Sequence, residues 1–152
     1  MDFFCKAFYD LSLDELYEIM KIRQEVFVVE QTCPYLDADG KDQKGWHLFG
    51  KNQSGEMVAY TRILPAGISY DNYPSIGRVL TTEKVRGSGA GKALMSATIE
   101  TLEQLFGPSA IKISAQCYLE KFYQSFGFES VGEPYPEDDI PHIAMIRPKS
   151  IA

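Results

Sequence analysis

The segment VRGSGAGKALM constrains the fold most, because three glycines at alternate positions stand directly before a helical apolar pattern. Glycine weakens regular elements, so three of them together predict a loop with a special task. The residues before it, 75–82, have the composition of a strand, and residues 91–107 after it have helical periodicity. A strand, a glycine loop and a helix in this order are typical of sites that hold an anion at a helix N-terminus.

The other segments predict alternating strands and helices. Ser12 followed by Glu15 has the spacing of a capping box, so a helix is expected to begin there. VFVVEQTCPY, after that helix, is compatible with a short second helix or with an extended bend. A strand, a crossover helix and a strand around residues 75–115 predict at least one parallel pair. We predict strands at 3–9, 46–51, 57–64, 75–82, 110–116, 128–132 and 142–148, and helices at about 13–25, 91–107 and 118–126.

Length and composition indicate one soluble domain, predicted over residues 3–148. The chain has 152 residues, of which 45% are apolar and 24% charged, as in ordinary globular domains. No apolar run is long enough to span a membrane, and the first residues lack the features of a signal peptide. The three widely spaced cysteines fit neither a disulfide framework nor a zinc site. The expected location is therefore the cytoplasm, without a bound metal.

The charge balance argues against nucleic acid as a partner. Lys plus Arg number 15 and Asp plus Glu number 21, which gives a net charge of −6, whereas duplex-binding modules are more often basic. A small anionic ligand stays compatible with this charge, because backbone N–H groups and one or two cations can hold its phosphates locally. Neither nucleic acid nor a membrane is expected as a partner.

Two common phosphate-binding motifs fail at the glycine segment. A P-loop that ends at Gly91-Lys92 needs glycine at position 86 and serine or threonine at 93, but the chain has Arg86 and Ala93. The dinucleotide fingerprint needs a glycine at position 92 or 94, where Lys92 and Leu94 stand. The segment is therefore neither of these motifs.

What remains is the pattern R-x-x-G-x-G, formed by Arg86, Gly89 and Gly91. Successive free N–H groups in such a loop form a nest for an anion, and the absence of side chains permits close approach. A second pattern, Y-x-x-x-G-F at residues 123–128, follows the next predicted strand. Together, at this spacing, the two patterns resemble the acyl-CoA loop and the tyrosine of the GCN5-related N-acetyltransferase (GNAT) superfamily.

The resemblance covers nearly the whole chain, roughly residues 3–147. RQEVFVVEQTCPY, YTRIL, IGRVL, RGSGAGKALM, FYQSFGF and DDIPHIAMIR together look like the ElaA-like branch of that superfamily. It implies an α/β (α+β) fold, with a mixed, mostly antiparallel sheet that contains a parallel splayed pair and is flanked by helices. It also implies acetyl-CoA as co-substrate and direct attack on it by an amine of a small molecule or protein in a ternary complex.

The resemblance further implies which residues contact acetyl-CoA. In the superfamily, the loop and the first helical turn bind the pyrophosphate, the preceding strand holds the acyl and pantetheine arm, and the tyrosine faces the sulfur. Gln116 falls where many relatives have an asparagine that bonds the pantetheine arm. The implied cofactor-binding residues are Val79, Leu80, Thr81, Arg86, Gly87, Ser88, Gly89, Ala90, Gly91, Lys92, Gln116 and Tyr123.

The resemblance implies the general acid of the reaction, whereas for the general base several titratable residues are candidates. Tyr123 is the implied general acid, since a phenol with a pKa of about 10 can protonate a thiolate; a core aromatic is the alternative. The acceptor ammonium must lose a proton before attack, and Glu30, His47 and His142 are candidate bases, beside a water chain. The acidic run at 137–139 either attracts a cationic acceptor or forms a solvated turn.

Two other classes of function stay open at this point. A domain that senses acyl-CoA without turnover keeps the loop but needs no general acid. An interaction domain that uses the glycine turn only for packing binds no CoA. The expected assembly is a monomer or a homodimer, and the identity of the amine is not indicated by any motif.

Overall fold

Residues 1–149 are described in the computed structural model, where they form one mixed sheet of seven strands with helices on both faces. The strands are β1 (Asp2–Ala7), β2 (Trp46–Lys51), β3 (Met57–Leu64), β4 (Ser75–Thr81), β5 (Ile111–Gln116), β6 (Glu129–Glu137) and β7 (Ile140–Arg147). The helices are α1 (Leu13–Arg23), α2 (Ala90–Phe106) and α3 (Glu120–Gln124), and a π-helical segment, Gln24–Glu30, continues α1. The order is β1-β2-β3-β4-β5-β7-β6, with β4 and β5 parallel. This confirms the predicted mixed, mostly antiparallel sheet with a parallel pair.

Where the local signals are strong, the element bounds agree with the prediction. β2 and β3 have the predicted bounds, and Asn52 closes their turn by accepting the N–H groups of Ser54 and Glu56, each at 3.0 Å. The capping box of α1 is formed, because the Glu15 N–H donates to Ser12 Oγ at 3.0 Å and the Ser12 N–H donates to Glu15 Oε1 at 2.8 Å.

The first helix buries a face that the helical spacing of its apolar residues does not identify, and it ends in a π-helical segment. Leu13 and Tyr17 are 86% and 75% exposed. The buried face instead includes Ile19 and Ile22, and it continues into the π-helical segment through Phe27. A π-helix changes the residue spacing of the buried face, so periodicity at 3.6 residues does not predict it.

The core lies on both sides of β3, in which every residue is buried. Tyr60 packs with Ile19 and Ile22 beneath α1, whereas Ala59 packs with Leu94 of α2 on the opposite face. This arrangement explains why β3 is apolar along its length rather than alternating. Among the helices of residues 1–149, none is long and apolar enough to cross a membrane.

β4 and β5 separate soon after they begin, and a bulge in β4 accompanies the separation. The two strands pair at Ser75 and Lys112. On the other edge of β4, Arg78 and Val79 together face Thr61 of β3, so β4 carries one extra residue. Arg78 has φ +51°, a left-handed conformation that costs a non-glycine residue about 1–2 kcal/mol. A bulge bends its strand, and here a gap opens between β4 and β5.

β6 is longer than the strand predicted at 128–132. Pro134 and Pro136 end the strand pattern in the sequence, because proline cannot donate to a ladder. In the structure β6 is an edge strand of the sheet. On its outer side no neighbouring strand accepts a hydrogen bond, so a proline without an N–H costs no ladder hydrogen bond there. The strand therefore continues through both prolines to Glu137.

Candidate functional site

Two cavities meet where β4 and β5 separate. The larger, of about 600 Å³, lies between β4, β5 and the β6–β7 hairpin. The smaller, of about 410 Å³, runs from the same point toward the start of α2. The side chains that line both are Phe27, Gln31, Val79, Gln116, Leu119 and Tyr123. Molecules that occupy the two cavities therefore meet at these six side chains.

The glycine segment joins β4 to α2, as predicted, and presents backbone donors. Gly87 and Gly89 have φ +82°, which other residues adopt only at a cost. Gly89 is the N-cap of α2 and supplies no side-chain capping bond. The first helical N–H groups, those of Ala90, Gly91 and Lys92, have no carbonyl partner within a helix. Such groups, with the positive end of the helix dipole, attract anions.

The Arg86 side chain turns away from these donors. Its NH1 and NH2 groups donate to Glu30 Oε1 and Oε2 at 2.8 and 2.9 Å, and NH2 also donates to the Thr81 carbonyl at 2.8 Å. The hydrogen bonds from Arg86 lower the pKa of Glu30 below its ordinary value. Glu30 lies at the edge of the smaller cavity with both carboxylate oxygens engaged, so it is a weak proton acceptor.

Tyr123 sits at the junction of the two cavities and is 5% exposed. Its ring is held edge-on by Phe122 and Phe128, with centroids 5.2 and 5.8 Å away. Burial raises the pKa of Tyr123 well above its ordinary value, so the hydroxyl carries its proton at neutral pH. Tyr123 is therefore a core aromatic with a protonated hydroxyl, and it borders both cavities.

The residues expected along the cofactor arm divide between the cavities and the core. Val79 and Gln116 line both cavities, whereas Leu80 and Thr81 line the smaller one. Leu80 also packs in the core beneath α1 and is 4% exposed. These residues and Tyr123 surround the point where the two strands diverge.

The two histidines have different environments. His47 is fully buried and borders neither cavity. Its Nε2 donates to the Asp42 carbonyl at 2.9 Å, which leaves Nδ1 to accept the Tyr60 hydroxyl at 2.6 Å. Both nitrogens of His47 are thus used within the core. His142, by contrast, lines the larger cavity.

A largely buried ion cluster beside the larger cavity was not predicted from the sequence. It consists of Arg23, Arg62, Arg78, Asp37, Asp39 and Asp42. Arg23 is fully buried; its Nε donates to Asp37 Oδ2 at 2.7 Å and its NH1 to Asp42 Oδ1 at 2.8 Å. With three charges of each sign, the cluster is neutral. Its three aspartates all lie in the short segment DADGKD, whereas its arginines come from three separate parts of the chain.

Arg62 and Arg78 connect the cluster to the cavity wall. Arg62 donates to both oxygens of Asp39, at 2.8 and 2.9 Å, and to Asp42 at 2.9 Å, while Arg78 pairs with Asp37 and Asp39. Burial alone raises the pKa of Asp39 and Asp42, but the hydrogen bonds from the arginines outweigh it and hold both pKa values below the ordinary range. These contacts also hold Arg78 in its left-handed conformation at the bulge.

The buried charges predict that stability falls as the pH is lowered. Burial lowers the pKa of His47, so below about pH 6.5 the unfolded chain takes up a proton that the native core excludes. Below about pH 4, Asp39 and Asp42 bind protons more readily in the unfolded state, because their native pKa values are lowered. We expect the Tm to decline in two stages between pH 8 and pH 3, as measured by circular dichroism. His47→Gln is expected to remove the upper stage, and a flat Tm across this range would contradict the assignment.

The comparisons with known proteins agree with this geometry. A family model described as an acetyltransferase (GNAT) domain matches residues 17–148. The chain belongs to the GNAT acetyltransferase family. ElaA of Escherichia coli K12 is 46% identical over 141 residues, which cover 91% of this chain and 90% of ElaA. The ElaA-like resemblance is thereby confirmed.

Solved GNAT structures superpose on nearly the full chain. A crystal structure of an acyl-CoA N-acyltransferase from Pseudomonas aeruginosa has a TM-score of 0.90 and 41% identity, and it covers 96% of this chain and 98% of its own. The crystal structure of Escherichia coli ElaA has a TM-score of 0.89 and 42% identity, with 97% and 99% covered. The predicted GNAT fold is confirmed, and acyl transfer is the general activity of the family to which the chain belongs.

Within this GNAT domain, the predicted site residues fall into three places. Thr81 lines the smaller cavity and, of the loop residues, Arg86 and Gly91 do so as well; Tyr123 and Gln116 lie at the junction, and His142 lies in the larger cavity. The other loop residues, Gly87, Ser88, Gly89, Ala90 and Lys92, are not part of either lining. Glu30 is separated from the larger cavity and paired with Arg86. Within residues 1–149, no group of three His, Cys, Asp or Glu side chains is placed to hold a metal ion.

Proposed function

We propose that this GNAT chain is an acetyl-CoA-dependent N-acetyltransferase, in which an amine attacks the thioester directly in a ternary complex. The observation that carries the proposal is the meeting of the two cavities at Tyr123, beneath the splayed strands. The smaller cavity leads from the glycine loop to this point, and the larger opens from it on the other side. We assign acetyl-CoA to the smaller cavity and the amine to the larger.

The glycine loop has the features that a pyrophosphate site requires. The left-handed Gly87 and Gly89 shape the turn, and the N–H groups of Ala90, Gly91 and Lys92 are available at the start of α2. In this proposal Arg86 contributes through its main chain, because its side chain is committed to Glu30 and Thr81. That ion pair would hold the loop against the end of the π-helical segment.

The bulge in β4 supplies the group that polarises the thioester carbonyl. Where Arg78 and Val79 face the single residue Thr61, the regular ladder is interrupted. Since the extra residue of a bulge is left unpaired, we infer that a backbone N–H is available here. Val79 lies at the junction of the cavities, beside Tyr123. A fixed N–H donor at a developing oxyanion contributes roughly 3–4 kcal/mol to catalysis.

Acid and base are assigned from the same geometry. In this proposal Tyr123 protonates the departing thiolate, since its hydroxyl retains its proton and the residue lines both cavities. His142 takes the proton from the acceptor ammonium, because it lines the larger cavity whereas Glu30 is engaged by Arg86 and His47 lies in the core. We further propose that residues 3–148 act as a single cytoplasmic domain, as a monomer or homodimer.

The test is thiol release from acetyl-CoA in the presence of a panel of amines, namely diamines, amino acids and lysine-containing peptides. We expect CoA to appear with at least one class and the N-acetyl product to be detected by mass spectrometry. Calorimetric binding of CoA without turnover on any amine would instead identify an acyl-CoA sensor. If CoA does not bind, the assignment of the smaller cavity is wrong.

Gly89→Ala is expected to weaken CoA binding about tenfold. Alanine at φ +82° costs about 1–2 kcal/mol, and relaxation of that strain reorients the N–H groups of the loop. Gly55→Ala is the control, since Gly55 in the β2–β3 turn has φ +80°, has free space around an added Cβ and lines neither cavity. Both variants should lose Tm, but only Gly89→Ala should raise the calorimetric Kd for CoA. Equal CoA affinity in the two variants would contradict the loop assignment.

A further inference from the structure

Four polar side chains form a connected chain at one wall of the larger cavity. Ser114 Oγ contacts the Tyr135 hydroxyl and donates to Glu137 Oε1 at 3.3 Å. Glu137 Oε2 lies 3.3 Å from His142 Nε2. The Tyr135 ring stacks on the imidazole of His142, with centroids 6.4 Å apart and an interplanar angle of 24°. Ser114, Glu137 and His142 line the cavity itself.

The irregular edge of the sheet brings these groups together. Between Val131 and Tyr135, β6 has two more residues than the facing part of β7, so pairing resumes with Tyr135 opposite His142. Two residues later Glu137 pairs with Ile140 across a two-residue turn, in which Asp138 and Asp139 have φ +50° and +63°. Such a turn holds the hairpin in a defined register.

The hydrogen bonds of His142 determine where its proton sits. Nδ1 is 2.7 Å from the Ile140 carbonyl, and because a carbonyl only accepts, Nδ1 carries the hydrogen. In neutral His142 the lone pair is therefore on Nε2, which faces Glu137 Oε2, itself an acceptor. Two acceptors 3.3 Å apart with no proton between them are a site for a cation that donates several hydrogen bonds.

We propose that His142 Nε2 and Glu137 Oε2 together receive the ammonium group of the acceptor, and that Glu137 positions His142 as the base. The inference rests on the proposed function and adds the chemistry of the acceptor, which is a primary amine that arrives protonated. Ser114 acts as a positioning residue, because its hydroxyl engages the other oxygen of Glu137.

The proton balance follows directly. The ammonium transfers one proton to His142 Nε2, and the resulting imidazolium is held by Glu137. The neutral amine then forms the C–N bond as the C–S bond breaks, and Tyr123 gives its proton to the thiolate. The second proton of the attacking nitrogen restores Tyr123, and His142 releases its proton to solvent. The products are the amide, CoA thiol and one proton.

The other charged and titratable groups near His142 are consistent with this role. Burial, together with the neighbouring Tyr135 and Glu137, raises the pKa of Tyr70 to about 12, so Tyr70 stays neutral at this wall. Asp138 also lines the cavity and adds negative charge, and Gln116, opposite His142 on β5, is uncharged. Glu137 is thus the carboxylate in contact with the imidazole, with Asp138 beside it in the chain.

The experiment compares Glu137→Gln with Asp139→Asn in the full chain. Asp139 is the exposed turn residue outside the cavity lining, and asparagine tolerates its left-handed conformation. We expect Glu137→Gln to reduce kcat/KM for the amine by about tenfold or more, because the ammonium loses one of its two acceptors and the imidazole its partner. The KM for acetyl-CoA should stay unchanged, Glu137→Asp should recover part of the loss, and Asp139→Asn should behave as wild type.

A second measurement does not depend on turnover. The chain has two histidines, so their imidazole nitrogens can be followed by NMR at one fixed pH while methylammonium is added. We expect Nδ1 of His142 to carry the hydrogen, and the Nε2 signal of His142 to move with added methylammonium in the wild type and in Asp139→Asn but not in Glu137→Gln. A wild-type Nε2 signal that does not respond to methylammonium, or one that responds equally in Glu137→Gln, would overturn this inference and leave the proposed function intact. Failure of the amine panel would overturn the proposed function while the methylammonium experiment still reports on the pair.

Discussion

Tyr123→Phe is expected to lower kcat for amine acetylation by about 10²–10⁴-fold, the range that a positioned general acid contributes. The substitution removes one hydroxyl at the junction of the two cavities and keeps the ring that packs between Phe122 and Phe128. The thiolate would then leave without its proton. Steady-state kinetics with saturating amine and acetyl-CoA measure the effect.

The control separates loss of chemistry from loss of folding. The Kd of CoA and the Tm of Tyr123→Phe should remain near the wild-type values, because the core contacts of the ring are kept. Tyr17→Phe removes a hydroxyl from a tyrosine that is 75% exposed on α1 and should leave kcat unchanged. If Tyr123→Phe turns over at the wild-type rate, another group protonates the thiolate.

Asp42→Ala is expected to destabilise the fold by about 3–5 kcal/mol, since it removes one partner from a buried ion cluster. Arg23 and Arg62 both donate to Asp42 Oδ1, at 2.8 and 2.9 Å, and neither can reach bulk water to compensate. At about 2–4 °C per kcal/mol for a chain of this size, the Tm should fall by roughly 6–20 °C. Calorimetry or circular dichroism at neutral pH records the change.

Lys84→Ala is the matched control for the ion cluster. Lys84 also pairs with a carboxylate, that of Glu56, but the two side chains are 62% and 44% exposed. Exposed pairs are screened by water and salt, so the Tm of Lys84→Ala should stay close to the wild-type value. Equal losses of Tm in the two variants would show that burial of the charges does not determine how much the cluster stabilises the fold.

Much of the fold was predictable because its signals are local. The capping box at Ser12 and Glu15 and the turn at 52–56 depend on residues a few positions apart, and these elements are as predicted. The glycine loop is equally local, since its conformation follows from φ values that glycine adopts without strain. The pattern in residues 123–128 likewise drew attention to Tyr123, which lines both cavities.

The parts that were not predictable depend on contacts between distant residues. The ion cluster joins Arg23 of α1 to Asp37 and Asp42 in the following loop and to arginines of β3 and β4, and no spacing along the chain shows that these charges meet. β6 continues through two prolines because it is an edge strand, which is a property of the sheet. The pairing of Glu30 with Arg86 likewise joins residues 56 positions apart.

By itself, the sequence determined the GNAT family, the order of the elements, and the loop and tyrosine proposed to bind and protonate CoA. These features could be predicted because each depends on residue types and backbone conformations within a short segment. Only the tertiary structure decided the partner of His142, the engagement of Glu30 and the buried charges behind the larger cavity. The physical reason is that a side chain's proton affinity and availability depend on its burial and on its neighbours in space. Those neighbours come from strands whose register is set by bulges and by packing rather than by the residues next to them in the chain.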